Sequence, residues 1–120
     1  MYSAAVLDHF KNPRNAGELP DPTASVEVTN PACGDIMQFA VRVSGNCIAD
    51  ARFKTRGCVT AIACGSLLTE MVRGKTLEEA RRITYTQISD ALGGLPPATV
   101  HGSQLACDAL EAVLAALTQT

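Results

Sequence analysis

The sequence predicts an α+β fold, a small antiparallel sheet covered on one side by several helices. Three observations predict it. Residues 36–56 alternate apolar and polar side chains with a period of two around a turn. Residues 59–73 follow a helical pattern whose first two turns carry no charge, which implies a deeply buried helix. Residues 103–117 carry a continuous apolar stripe at helical spacing. A chain of 120 residues, nearly half of them hydrophobic, is expected to build one domain over residues 1–120.

Taken in order, residues 3–11 read as a short amphipathic helix with Val6, Leu7 and Phe10 on one face. Asn12-Pro13-Arg14-Asn15-Ala16-Gly17 ends it, because proline cannot continue a helix and asparagine and glycine favour turns. A loop with Pro20-Asp21-Pro22 leads to a strand over residues 25–29. Met37, Phe39, Val41 and Val43 then alternate with Gln38, Ala40 and Arg42. Ser44-Gly45-Asn46 supplies turn chemistry, residues 51–56 alternate again, and 36–56 therefore form a β-hairpin. Gly74 stops the buried helix. Thr76, with Glu79 three residues on, is a capping-box signature for a helix that runs to Ile83. One or two helical turns follow over 88–92, broken by Gly93-Gly94 and Pro96-Pro97. In the last helix Leu105, Ala106, Ala109, Leu110, Val113, Leu114 and Leu117 form the stripe, with Gln104, Asp108 and Glu111 facing out.

The net charge is −2 and no basic cluster appears, which argues against nucleic acid or an anionic membrane as partner. No apolar run approaches the roughly 18 residues that a membrane span needs. Met1-Tyr2-Ser3-Ala4-Ala5 lacks the basic and apolar regions of a signal peptide. Five irregularly spaced cysteines then read as thiols or ligands in a reducing cytoplasm, not as a disulfide framework.

Two of these cysteines occupy settings suited to chemistry. Cys58 sits where a strand ends at Arg56-Gly57 and the buried helix begins. Free N–H groups and positive potential at a helix start favour a thiolate, and Arg56 adds a cation. Position alone leaves Cys58 between a ligand and a structural cysteine. Cys33 lies in a loop beside Gly34, which permits a tight backbone path around an ion, and Asp35, which offers a hard oxygen. His101, ahead of the last helix, adds an imidazole. Together Cys33, Asp35, Cys58 and His101 are enough for a four-coordinate metal site whose ligands meet at one end of the fold. Cys64 reads as core, Cys47 as structural, and Cys107 as an accessible thiol sharing a polar face with Gln104 and Glu111. His9, beside Asp8, reads as a surface residue.

Four ordered segments resemble the IscU/NifU N-terminal family of iron–sulfur cluster scaffolds. They are Asp8-His9-Phe10-Lys11-Asn12-Pro13-Arg14-Asn15, Ala32-Cys33-Gly34-Asp35, Phe53-Lys54-Thr55-Arg56-Gly57-Cys58 and Gly74-Lys75-Thr76-Leu77-Glu78-Glu79-Ala80, with Leu95-Pro96-Pro97 and His101 following. The resemblance implies a three-stranded antiparallel sheet packed with helices, with a site at an exposed tip. It also implies a non-enzymatic role: accepting sulfane sulfur from a cysteine desulfurase, binding iron, building a [2Fe–2S] cluster and passing it to acceptor proteins. Cys33 and Cys58 match the first two family cysteines, Asp35 the aspartate, which keeps the cluster labile, and His101 the histidine.

The chain departs from the family at two points. The third family cysteine follows the histidine, and here that position is Gly102. Cys107 lies about 7.5 Å further along a helix and is turned by roughly 140°, so it does not replace that ligand. A cysteine placed at Gly102 is expected to strengthen cluster binding. Scaffolds served by an Hsp70-type chaperone carry valine-lysine after the two prolines, whereas Ala98-Thr99 stand here, so that partner is not carried over. A second reading is a zinc- or iron-binding protein of the same fold, without scaffold activity, that regulates or binds a cysteine desulfurase. A third is a thiol-based sulfur carrier using Cys58 or Cys107.

Overall fold

The computed structural model describes residues 2–96 and 99–118. Its elements run α1 (Ala4–Lys11), β1 (Ala24–Thr29), β2 (Ile36–Ser44), β3 (Cys47–Arg56), α2 (Val59–Val72), α3 (Leu77–Arg81), α4 (Tyr85–Ala91) and α5 (His101–Leu117). The three strands form one antiparallel sheet in the order β1-β2-β3, the predicted α+β architecture.

Met37, Phe39 and Val41 of β2 and Ile48, Ala51 and Phe53 of β3 share one face of the sheet and are buried. The helices α2 and α5 cover that face. Contact between α2 and β3 is close: a Cβ on Gly65 would stand 2.5 Å from Cδ2 of Phe53, so only glycine lets the helix settle on the ring. Burying a side chain such as Leu68, fully enclosed on α2, contributes about 1.5–3 kcal/mol. The predicted stripe of α5 is buried from Leu105 to Leu114, and Leu117 packs against the core at its end.

Local signals decide the helix ends. Ser3 caps α1, its Oγ accepting the Val6 N–H at 3.1 Å. The Thr76/Glu79 capping box is present on α3, although this helix closes at Arg81, before Ile83. A second box, Thr84 with Gln87, starts α4 at Tyr85, three residues before the predicted turn over 88–92. His101 is the first residue of α5 and does not precede the helix.

The register of the hairpin is what positions the tip. The turn at Gly45 (φ 64°) and Asn46 pairs Ser44 with Cys47 and Val43 with Ile48. A bulge between Arg42 and Val43 then shifts the pairing by one residue, and from Arg42↔Asp50 onward it runs evenly to Ile36↔Arg56. One step beyond this last pair, Asp35 stands across from Gly57.

Candidate metal centre at the sheet tip

The loop from Asn30 to Asp35 joins β1 to β2 at the end of the sheet where β3 gives way to α2. It closes on itself. The Asn30 N–H donates to the Asp35 carbonyl at 2.9 Å, the Gly34 N–H to the Asn30 carbonyl at 2.7 Å, and the Ala32 N–H to Asn30 Oδ1 at 2.8 Å. Gly34 takes φ 77°, a left-handed value that glycine adopts freely. Asn30 is buried beneath the loop, while Cys33 is exposed.

Cys58 is the N-cap residue of α2 and is exposed. Its N–H donates to Oδ2 of Asp35 at 3.3 Å, so a carboxylate sits at the start of the helix, where the unpaired N–H groups and the dipole favour negative charge. This changes the expected electrostatics. Burial pushes the Cys58 thiol up from its ordinary value and the Asp35 carboxylate pushes it further, while the N–H groups of Ala61 and Thr60 act against both. The predicted preference for thiolate is therefore reversed: burial first, and then the Asp35 carboxylate, outweigh the help that the helix-start N–H groups give the thiolate.

His101 opens α5 and is half-buried. The adjacent Gly102 is buried against the first turn of α2. A Cβ there would lie 2.9 Å from Thr60 Cγ2, 3.0 Å from the Thr60 carbonyl carbon and 3.1 Å from the Ala61 nitrogen. Gly102 thus seats α5 on α2 two residues beyond Cys58. A cysteine at this position meets backbone unless the helices part, a penalty that the sequence does not reveal.

Of the four predicted ligands, the structure puts Asp35 and Cys58 in direct contact and leaves Cys33 exposed on the neighbouring loop. Among the described residues no three His, Cys, Asp or Glu side chains converge closely enough to hold a metal ion. Pro97 and Ala98, part of the segment weighed for a chaperone, lie outside the described residues.

The remaining cysteines divide differently from the reading of the sequence. Cys64 is core as expected, and burial pushes its thiol up to about 12. Cys47 is exposed at the hairpin turn. Cys107, expected to be accessible, is buried: its Sγ faces the Ile83 carbonyl at 3.9 Å and Glu111 Oε1 at 3.8 Å. The segment joining α3 to α4 covers this side of α5, which removes Cys107 as an open sulfur acceptor. His9, expected at the surface, is only 8% exposed. Its Nδ1 lies 2.8 Å from Ser66 Oγ and its Nε2 3.5 Å from Glu70 Oε1. An Asp8-to-Asn15 segment this rich in polar residues was the available sign of such a brace, but its partners lie more than fifty residues away.

Comparison with known proteins assigns the family. The NifU-like N terminal domain family matches residues 1–119. The chain belongs to this family. Iron-sulfur cluster assembly scaffold protein IscU 1 of Archaeoglobus fulgidus is 51% identical over 110 residues, covering 92% of this chain and 72% of that protein. The scaffold protein IscU of Haemophilus influenzae is 51% identical over 118 residues, covering 95% and 93%. That of Escherichia coli K12 is 48% identical over 118 residues, covering 95% and 91%. Among solved structures, the N-terminal part of a NifU-like protein from Brucella abortus superposes with a TM-score of 0.80 at 18% identity, over 98% of this chain and 94% of that one. At that identity the likeness speaks for the fold alone.

Proposed function

We propose that this protein is a non-enzymatic iron–sulfur cluster assembly scaffold, holding iron and sulfide at the sheet tip, building a [2Fe–2S] cluster there and releasing it to acceptor proteins. The observation that carries the reading is the Asp35 carboxylate held against Cys58 at an exposed tip, with the Cys33 thiol on the adjoining loop. The near-half identity to proteins named as scaffolds supports the same reading.

The cargo is bound by Cys33, Asp35, Cys58 and His101. The two thiolates suit iron bridged by sulfide. The carboxylate is a harder and poorer match, which favours release. A cysteine desulfurase is the partner that supplies sulfur. The Cys58 thiolate attacks the terminal sulfur of the desulfurase persulfide, the S–S bond of that persulfide breaks, and the desulfurase thiolate leaves. That exchange is redox-neutral. Turning the sulfane sulfur into sulfide takes two electrons from an external reductant. We place this work in the cytoplasm, where thiols stay reduced.

Gly102 favours a second reading. With glycine packed on Thr60 where the family has a thiol, the same four residues suit a single zinc or iron ion in a protein that binds or regulates a desulfurase without assembling clusters. Anaerobic reconstitution with iron, cysteine and a cysteine desulfurase separates the two. A scaffold gives visible charge-transfer bands with matched iron and acid-labile sulfide, lost in Cys33→Ser and Cys58→Ser. One tightly held zinc on the same residues, with no sulfide, overturns the scaffold reading in favour of the second.

A further inference from the structure

Gly57 differs from most glycines of this chain in the reason it is glycine. Its φ is not in the left-handed region that Gly17, Gly34, Gly45, Gly74, Gly93 and Gly94 occupy. Space decides instead. A Cβ on Gly57 would stand 2.5 Å from Cγ of Asp35, 2.7 Å from Oδ2 and 2.8 Å from Oδ1. The whole carboxylate lies on the α-carbon of Gly57, and the next N–H along the chain, that of Cys58, donates to Oδ2.

We infer that Gly57 is a positioning residue, a seat that fixes where the Asp35 carboxylate sits. The inference deepens the proposed function and rests on Asp35 and Cys58 being ligands. Three features combine. The hairpin register sets Asp35 across from Gly57, one step past the Ile36↔Arg56 pair. The missing side chain leaves room for the carboxylate, and the Cys58 N–H holds Oδ2. The carboxylate is thereby held beside the Cys58 thiol, with which it also interacts. Seating the carboxylate beforehand removes part of the ordering that ligation otherwise requires.

Alanine at 57 tests this without threatening the fold, because its φ lies outside the left-handed region and the atoms in the way belong to a side chain that can swing aside. The experiment measures zinc affinity by chelator competition, and melting of the metal-free protein, for wild type, Gly57→Ala, Asp35→Ala and the double variant. Gly57→Ala is expected to weaken zinc binding about tenfold, as loss of support around a ligand does, and to change nothing further once Asp35 is alanine. Melting follows the same pattern: the effect of Gly57→Ala depends on whether Asp35 is present. The gain that any glycine-to-alanine change makes through the unfolded chain is common to both backgrounds and cancels in the cycle. Independent effects in both the affinity and the melting cycles overturn the inference. Zinc affinity indifferent to Asp35→Ala and Cys58→Ser, with coupling retained in melting, overturns the ligand reading and supports the seat.

Discussion

Two clusters of polar side chains flank α2, one at each end of the same helix's buried run, and they are built in opposite ways. Beneath α1 the polar groups are joined to one another, with His9, Ser66 and Thr69 buried and Asp8 and Arg14 nearer the surface. Ser66 Oγ meets His9 Nδ1 and accepts the Arg14 N–H, both at 2.8 Å, and Thr69 Oγ1 donates to the Ser66 carbonyl at 2.7 Å. Asn15 Nδ2 donates to Thr69 Oγ1 at 3.0 Å, and Arg14 pairs with Asp8 at 2.7 Å. At the tip, Cys58 and Asp35 meet through a hydrogen bond of 3.3 Å from the Cys58 N–H, and both thiols are exposed. Polar groups that fasten elements together are largely paired, since an unpaired buried donor or acceptor is expensive, although Arg14 Nη1 is buried without a partner. The proposed ligands Cys33 and Cys58 stand instead at the surface. The family motif from Asp8 to Asn15 belongs to the first kind: it is a brace that docks α1 on α2 and not part of the site.

The contrast can be broken most sharply at Ser66. Ser66→Ala leaves the His9 ring and the Arg14 N–H without their shared partner and is expected to destabilise the protein by about 2 kcal/mol, read by urea unfolding, while the zinc stoichiometry of the folded protein stays as it was. Cys58→Ser is the mirror experiment, changing unfolding by no more than about 0.5 kcal/mol and removing metal retention. If Ser66→Ala abolishes metal binding in fully folded protein, the two clusters are not separate in function.

Gly102 tests the boundary between fastening and binding. Gly102→Cys is expected to cost roughly 1–3 kcal/mol from crowding against Thr60 and Ala61, with no gain in bound iron or sulfide. A stable variant that gains cluster would show that α5 yields at its first turn and that the tip opens without penalty.

The smallest expected effect is a pH dependence. Burial holds the His9 imidazole below its ordinary value of 6.5, the Arg14 cation adds to that, and Glu70 and Asp8 oppose it. The tautomer with Nδ1 bare and Nε2 protonated suits both its contacts. Because the unfolded state then takes up a proton more readily than the folded one, this contribution to stability is complete above about pH 6.5 and is lost as pH falls through the folded value. Unfolding followed from pH 7.5 down to pH 5 should show the decline, and His9→Gln should flatten it. An unchanged slope in His9→Gln assigns the dependence to other groups.

Much of the fold was legible because its signals are local. Alternation in residues 36–56 named the hairpin, and the stripe from Leu105 to Leu117 named α5. The Thr76/Glu79 box marked α3, and the same signature at Thr84 and Gln87 was there to start α4 at Tyr85. Cys107 and His9 were misplaced for one shared reason. Periodicity tells which residues share a helix face, but not whether another element covers that face. The segment near Ile83 covers Cys107, and α2 covers His9.

By itself the sequence determined the α+β class, the strand and helix order and the family, and it nominated the four candidate ligands, since each depends on residue type and short-range spacing. Only the tertiary structure decided how those ligands stand. The one-residue bulge at Arg42/Val43 sets the register that brings Asp35 to Gly57. Burial, and then the Asp35 carboxylate at the helix start, raise the Cys58 thiol, and the close seat of Gly102 on Thr60 fixes α5. These are contacts between residues 22 to 42 positions apart, and their energies depend on distances of a few tenths of an ångström that no pattern along the chain encodes.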